Sequence, residues 1–450
     1  MEKQKTVLIL TYYWPPSGGG GVQRWLKFAK YLPSFDWKPI VFAPENPDYP
    51  VTDLSLEDDI PKELQVIKHP IWEPYHLFKK FTGRKKEEKV NTGVLYDGAS
   101  STPREKLSMW IRGNFLIPDP RVFWVRPSCR YLKKVLPELG VDAIISTGPP
   151  HSVHLIARKL RKKFNVPWVA DFRDPWSEID YLERFRLTKP AWWLQKKLEK
   201  NVLHEADEVI TVSPSWAEDL ERIGNRKVRV ITNGFDRADF EGAENVESSK
   251  SSDVFRLTYA GFMNSLRNPV QLWQALDELC QEKPVLKDKL ELKIIGTIDE
   301  DVKNHIRQYP NLSGRIHFQA YTPHNQLLEE YKNSSVLLLI QTQSKNSTGH
   351  IPGKFFEYLA SLRPILMIGS EISDMAKFLK KLKAGKTNNY QEKKAIKQSL
   401  VGLFEQHQSG NVPSDANEIE AYNRENLTKQ LSELLNKQLS PSQDIHTGLF

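Results

Sequence analysis

The chain has 450 residues, too many for one ordinary core, so two or three domains are expected. It is 39% hydrophobic and 27% charged, the balance of a soluble globular protein, and apolar runs such as VLLLI (336–340) are far too short to span a bilayer. Two cysteines, Cys129 and Cys280, exclude a disulfide framework, and no zinc-ligand spacing accompanies them.

Net charge is +8, from 64 basic and 56 acidic residues. That excess fits an anionic partner (nucleotide phosphates, nucleic acid or acidic lipid head groups) or simply a solvated surface. No nucleic-acid-binding motif is present, so no nucleic acid partner is expected. The opening MEKQKTVLIL has too short an apolar stretch for a secretory signal, and a cytoplasmic location is the simplest expectation.

In chain order, TVLIL (6–10) is a short continuous apolar run, as a strand buried on both faces requires. Four glycines follow, Gly18 to Gly21. Then Val22, Trp25, Leu26, Ala29 and Leu32 recur at helical spacing, and KPIVFAP (38–44) reads as a second strand. This is a βαβ unit. The pattern repeats with a strand at 143–146, a loop carrying Gly148, Pro149 and Pro150, and a helix from about Ser152. Another strand spans 167–171. ADEVITVSPSWAEDLERIG and KVRVITNGFD continue the alternation.

The segment from Arg237 to Asp253 is polar and rich in Ser and Glu, and reads as a linker. Beyond it the alternation restarts, from FRLTYAG through SVLLLIQ and GKFFEYLAS to PILMIG. Two alternating halves imply an α/β fold of two doubly wound domains facing each other. The expected boundaries are 1–236, linker 237–253, 254–415, a C-terminal helix at 416–439 and a tail at 440–450. Residues from about 50 to 125 resist assignment, and GRKKEEKVNTG (83–93) reads as a surface loop.

The glycines lie at the carboxyl end of the first strand and lead into a helix N-terminus. That is where a phosphate or sugar approaches backbone amides. The dinucleotide fingerprint fits poorly, with no acidic residue closing the second strand, and a Walker A lysine is absent.

The stretches YYWPPSGGGGVQR, STGPPHSVHLIA, ADFRDPW, TVSPSWAEDL, VITNGFD, YAGF, KIIG and IPGKFFEYLA occur in an order that resembles the retaining glycosyltransferases of the GT-B fold, family 4. The resemblance covers about residues 6–369. It implies two Rossmann-like domains, the nucleotide sugar mainly on the second and the acceptor mainly on the first. It needs no cofactor and no metal, the nucleoside-diphosphate sugar being a substrate. Its partners are that nucleotide sugar, a saccharide or lipid-linked acceptor, and an anionic membrane surface on the cytoplasmic side.

Residue by residue, the resemblance implies that Gly19, Gly20 and Gly21 close over the donor. Glu357 holds the ribose, and Arg267, Lys354 and Gly353 serve the diphosphate. The family's first glutamate falls on Gly349, which leaves His350 or backbone amides to hold the sugar. Where many members carry a histidine, this chain has Arg173, flanked by Asp171 and Asp174. His151, at the preceding strand end, joins Asp171 and Arg173 as a catalytic candidate, and His154 is a weaker one that reads as helix surface. Asp171 either orients the acceptor hydroxyl or acts as a base, or else Arg173 pairs with Asp171 or Asp174 and the three fix the loop. Arg24 either meets an acidic acceptor or is solvated, and Asp174 is the second acceptor-binding candidate. Trp72, Trp110, Trp124, Trp192 and Trp193 among many bases, with KPAWWLQKKLEK as a surface helix, are the expected membrane face. The departures leave an alternative: a catalytically silent GT-B-like membrane or assembly protein.

Overall fold

A computed structural model describes residues 4–49, 51–74, 103–240, 253–320, 322–344, 346–410 and 416–439. The loop read at 83–93, most of the linker and the tail lie outside the described residues.

The first half carries β1 (Lys5–Leu10), α1 (Gly20–Tyr31), β2 (Trp37–Pro44), β3 (Gln65–His69), α2 (Pro103–Phe115), α3 (Val122–Leu139), β4 (Ala143–Gly148), α4 (Ser152–Phe164), β5 (Trp168–Phe172), α5 (Lys189–Glu205), β6 (Glu208–Thr211), α6 (Pro214–Gly224) and β7 (Arg229–Val230). The second carries β8 (Phe255–Ala260), α7 (Val270–Glu282), α8 (Pro284–Lys289), β9 (Leu290–Ile295), α9 (Glu300–Ile306), β10 (Ile316–Gln319), α10 (His324–Lys332), β11 (Val336–Ile340), α11 (Gly353–Ala360), β12 (Ile365–Ile368), α12 (Asp374–Lys381), β13 (Gly385–Asn388) and α13 (Lys393–Ser409). The short α14 (Ala416–Ile419) and then α15 (Arg424–Leu439) follow.

Each half forms one parallel sheet. The strand orders are β3-β2-β1-β4-β5-β6-β7 and β10-β9-β8-β11-β12-β13. Both orders reverse once, between β1 and β4 and between β8 and β11, and a crevice opens at the carboxyl ends of the strands at such a reversal. The apolar runs became central strands for the expected reason: every residue of β4, β5, β11 and β12 is buried.

The stretch that resisted assignment holds real structure. β3 pairs in parallel with β2 from Ile40–Gln65 to Pro44–His69. It is an edge strand of mixed composition, so no apolar run announced it. Helix α2 follows the undescribed residues and packs on the 180–185 turn, where Gly113 leaves room for Phe185 and Leu187.

Long-range side chains finish several elements. Asp119 accepts from both the amide and the hydroxyl of Ser152 at 2.9 Å, an N-cap for α4 supplied from 33 residues upstream. Helix α15 returns to the first domain. Leu427, Leu431, Leu434 and Leu435 join a core with Trp25, Leu26, Phe28 and Ala29 of α1. Lys5 Nζ and Trp37 Nε1 both donate to Asn436 Oδ1, at 2.9 and 3.2 Å. Both cysteines are buried and free.

Candidate functional site

The two crevices face one another. A pocket between the domains is lined by Asp174, Asp180 and Trp216 from the first and by Asn264, Arg267, Asn346 and His350 from the second.

On the second domain, β8 ends in Ala260 and a turn at Gly261 (φ +137°). A Cβ there would stand 3.1 Å from Lys354 Nζ. Lys354, second residue of α11, donates to the Ala260 carbonyl at 2.6 Å and lies 4.4 Å from the Tyr259 ring centre. Arg267 sits on the short turn 265–267, its Nε donating to Thr342 Oγ1 at 2.6 Å and its Nη1 to the Phe262 carbonyl. Neither base makes an ion pair with a described residue. Burial, aided by the charge of Arg267 and opposed by Glu357, brings the Lys354 ammonium down to about 7. Burial and the same two bases hold His350 at about 4, a neutral imidazole. Like charges crowded this way are stabilised by an anion placed between them. The helix N-terminus beside Lys354 favours the same charge.

Glu357 lies one turn along α11 and is 8% exposed. It accepts from His324 Nε2 at 3.1 Å. Burial opposes the charge on His324, but the Glu357 hydrogen bond and the Glu357 and Asp239 charges outweigh it and raise its pKa. Gly353, the first residue of α11, leaves open space where a side chain would stand.

On the first domain, the glycine loop has internal reasons for its composition. Gly19 has φ +91° and caps α1, a backbone that suits glycine. A Cβ on Gly21 would meet Arg173 Nη1 at 2.5 Å. Arg173 donates to the Gly21 carbonyl at 2.8 Å and also to the Pro149 carbonyl, so it staples the glycine loop to the Pro149–Pro150 loop. Gly20 begins α1, where the Val22 amide donates to the Gly19 carbonyl at 3.2 Å and the amides of Gly20 and Gly21 precede the first helical bond.

Two expectations need correction. Arg24 is neither solvated nor turned to an acceptor. It is fully buried, with Nη2 3.0 Å and Nε 3.3 Å from the carboxylate of Asp171 and Nη1 2.8 Å from the Thr232 carbonyl. Asp171 therefore does not pair with Arg173. It is also fully buried and accepts from Trp25 Nε1 (2.7 Å) and Thr147 Oγ1 (2.8 Å). Its oxygens face protein donors, which explains a core role better than a chemical one.

Asp174 lines the pocket, and burial raises its pKa despite Arg173 nearby. His151 stacks on Trp176 at 4.6 Å with nearly parallel rings. Burial, then His154 and Arg173, keep its pKa far below the usual value. His154 is core rather than helix surface: it is 0% exposed, bonded to Ser146 Oγ at 2.8 Å, and held at about 3 by burial and Arg173.

The structure thus gathers Arg267, Lys354, His350 and Glu357 on one side and Asp174 on the other, and withdraws Arg24, Asp171 and His151. The sequence did not single out Trp216, His324 or Asp374. Asp374 accepts from the amide and hydroxyl of Ser215 across the cleft, both at 2.8 Å. The Ser-Pro turn before Trp216 was the available signal. Among the described residues no group of three or more His, Cys, Asp or Glu is arranged to hold a metal ion.

Residues 87–239 match the model of Glycosyltransferase Family 4. No curated protein matches the chain by sequence. Solved structures match across both domains. Sucrose-phosphate synthase from Thermosynechococcus elongatus aligns with TM-score 0.62 at 14% identity, over 97% of this chain and 100% of that one. A glycosyltransferase from Rickettsia africae aligns with TM-score 0.60 at 13% identity, over 98% and 100%. The Anabaena protein HepE in complex with UDP-glucose aligns with TM-score 0.58 at 14% identity, over 96% and 99%. The fold is GT-B, and the family match and the fold together support a glycosyltransferase enzyme.

Proposed function

We propose that this protein transfers a sugar, with retention, from a nucleoside-diphosphate sugar to an acceptor hydroxyl in cell-surface polysaccharide or glycolipid synthesis. One observation carries the reading: Lys354 and Arg267 crowd one end of the cleft with no ion-pair partner among the described residues, a pair of bases suited to a diphosphate. The complex of a similar fold with UDP-glucose supports the donor class. The departing diphosphate gains charge in the transition state, and these bases with the α11 N-terminus stabilise it there. Glu357 accepts ribose hydroxyls, and the amides opening α1 close on the phosphate and sugar. Asp174 meets the acceptor from the opposite wall.

The acceptor, on this reading, is a saccharide or lipid-linked saccharide met at the inner membrane face. Trp193 is 59% exposed, with Lys197 Nζ 4.4 Å from its ring centre. On neighbouring α2, Leu107, Ile111 and Phe115 form an exposed stripe, and Trp72 is 56% exposed. Trp124, by contrast, is core. Among the described residues no helix is long and apolar enough to cross a membrane.

A second reading, a silent assembly protein, is favoured by the engagement of Asp171 with protein donors. The test is transfer and donor hydrolysis against a panel of nucleotide sugars, with thermal shift by the matching diphosphates. Stabilisation by a diphosphate together with turnover of its sugar supports the enzyme. Binding without turnover on any acceptor supports the silent protein.

A further inference from the structure

The loop from Asn346 to His350 belongs to the second domain, but its outer face is built by the first. A Cβ on Gly349 would stand 2.5 Å from Trp216 Cδ1 and 2.7 Å from Trp216 Nε1, so the indole fills the space of a side chain at 349. The Trp216 and His350 ring centres are 6.2 Å apart. Asn346 is tied across the same rim, its amide to Asp180 Oδ1 at 3.2 Å and its side chain to the Glu178 carbonyl. Trp216 is 6% exposed, and its Nε1–H finds no acceptor among the described residues. A buried unpaired donor opposes closure of the rim until something supplies an acceptor.

From this geometry we infer that Trp216 is a specificity-determining residue: it reads the transferred pyranose of the nucleotide sugar from across the cleft, in place of any side chain at 349. The inference rests on the cleft being the donor site. The indole offers a flat apolar wall to a sugar's C–H face, and its N–H a single donor to a ring substituent, while Arg267 fixes the diphosphate at the other end of the same pocket. The sugar subsite is complete only when both domains contribute. A nucleoside diphosphate without its sugar does not use Trp216.

The experiment compares two affinities in each variant. UDP, GDP and ADP are titrated into the full chain by calorimetry, and the best binder is paired with its glucose conjugate. Trp216→Phe keeps an apolar ring and removes the N–H. Gly349→Ala displaces the indole without altering it. Both are expected to leave diphosphate affinity within twofold and to weaken the sugar conjugate at least fivefold. Equal weakening of both ligands makes Trp216 a domain clamp and overturns the inference. So does an unchanged contrast in Trp216→Phe with the melting temperature retained. Wild-type protein that binds none of the diphosphates overturns the donor-site reading itself, and this inference with it.

Discussion

Arg24 and Asp171 meet inside the first domain, Nη2 to Oδ1 at 3.0 Å, and neither side chain reaches solvent. Breaking such a pair leaves a buried charge alone, which costs about 3–5 kcal/mol. Asp171→Asn and Arg24→Met should each lower urea stability by that order. The double change to apolar residues should cost less than their sum, because no charge is then orphaned. Transfer by the folded fraction of Asp171→Asn should persist. Full stability with abolished transfer would instead return Asp171 to a chemical role.

Burial, with Arg267 nearby, brings the Lys354 ammonium down to about 7, so it is charged below that value and loses its proton above it. On the proposed function, a diphosphate bound beside it would restore the charge. Affinity for the diphosphate should therefore fall as pH rises through 7, with proton uptake on binding at higher pH. A charge-assisted hydrogen bond of about 1.5–3 kcal/mol makes the full effect roughly ten- to a hundredfold. Calorimetry in buffers of different ionisation enthalpy measures the uptake, and Lys354→Met should abolish it.

Glu357→Ala should weaken the best nucleotide by a similar roughly tenfold or more. Its pairing with His324 adds a second effect: the apo melting temperature should drop too, since a partly buried imidazole loses its partner. Glu357→Gln keeps an acceptor for His324 and should recover most of the melting temperature while still binding nucleotide weakly. Undiminished nucleotide affinity in both variants would remove the ribose role.

The exposed aromatic and basic face of α2 and α5 should bind anionic vesicles at low salt and release them as salt is raised. Vesicles of neutral lipid should not sediment the protein. Trp193→Ser combined with Lys196→Gln and Lys197→Gln should reduce sedimentation several-fold without altering nucleotide affinity. Absence of binding to anionic vesicles at low salt would end the idea.

Much of the fold was legible because a parallel sheet buried on both faces writes itself as apolar runs, as TVLIL and VLLLI show. The edge strand QVIKH lacked that signature, being half exposed. The placement of Lys354 and Glu357 on one helix was legible because their motif sits at one helix start. Arg24 was not: a single charged residue in a helix reads as solvated, and its partner lies 147 residues away. His324 and Trp216 were hidden for the same reason. Each acquires its role only from a residue that folding brings to it from a different element.

Helix α15 has a consequence for synthesis. It covers a core face of the first domain, with Leu431 and Leu435 wholly buried beside α1, and its start bridges to Phe235. The first domain has therefore left the ribosome, all but this helix, long before its covering arrives. At roughly 5–20 residues per second the wait is on the order of ten seconds or more. Throughout it Trp25, Phe28 and their neighbours lack the cover that α15 will supply. A nascent chain stalled in the second domain is thus half-dressed in the first, and α15, translated only after that domain, acts as a seal that closes once the second domain has been made.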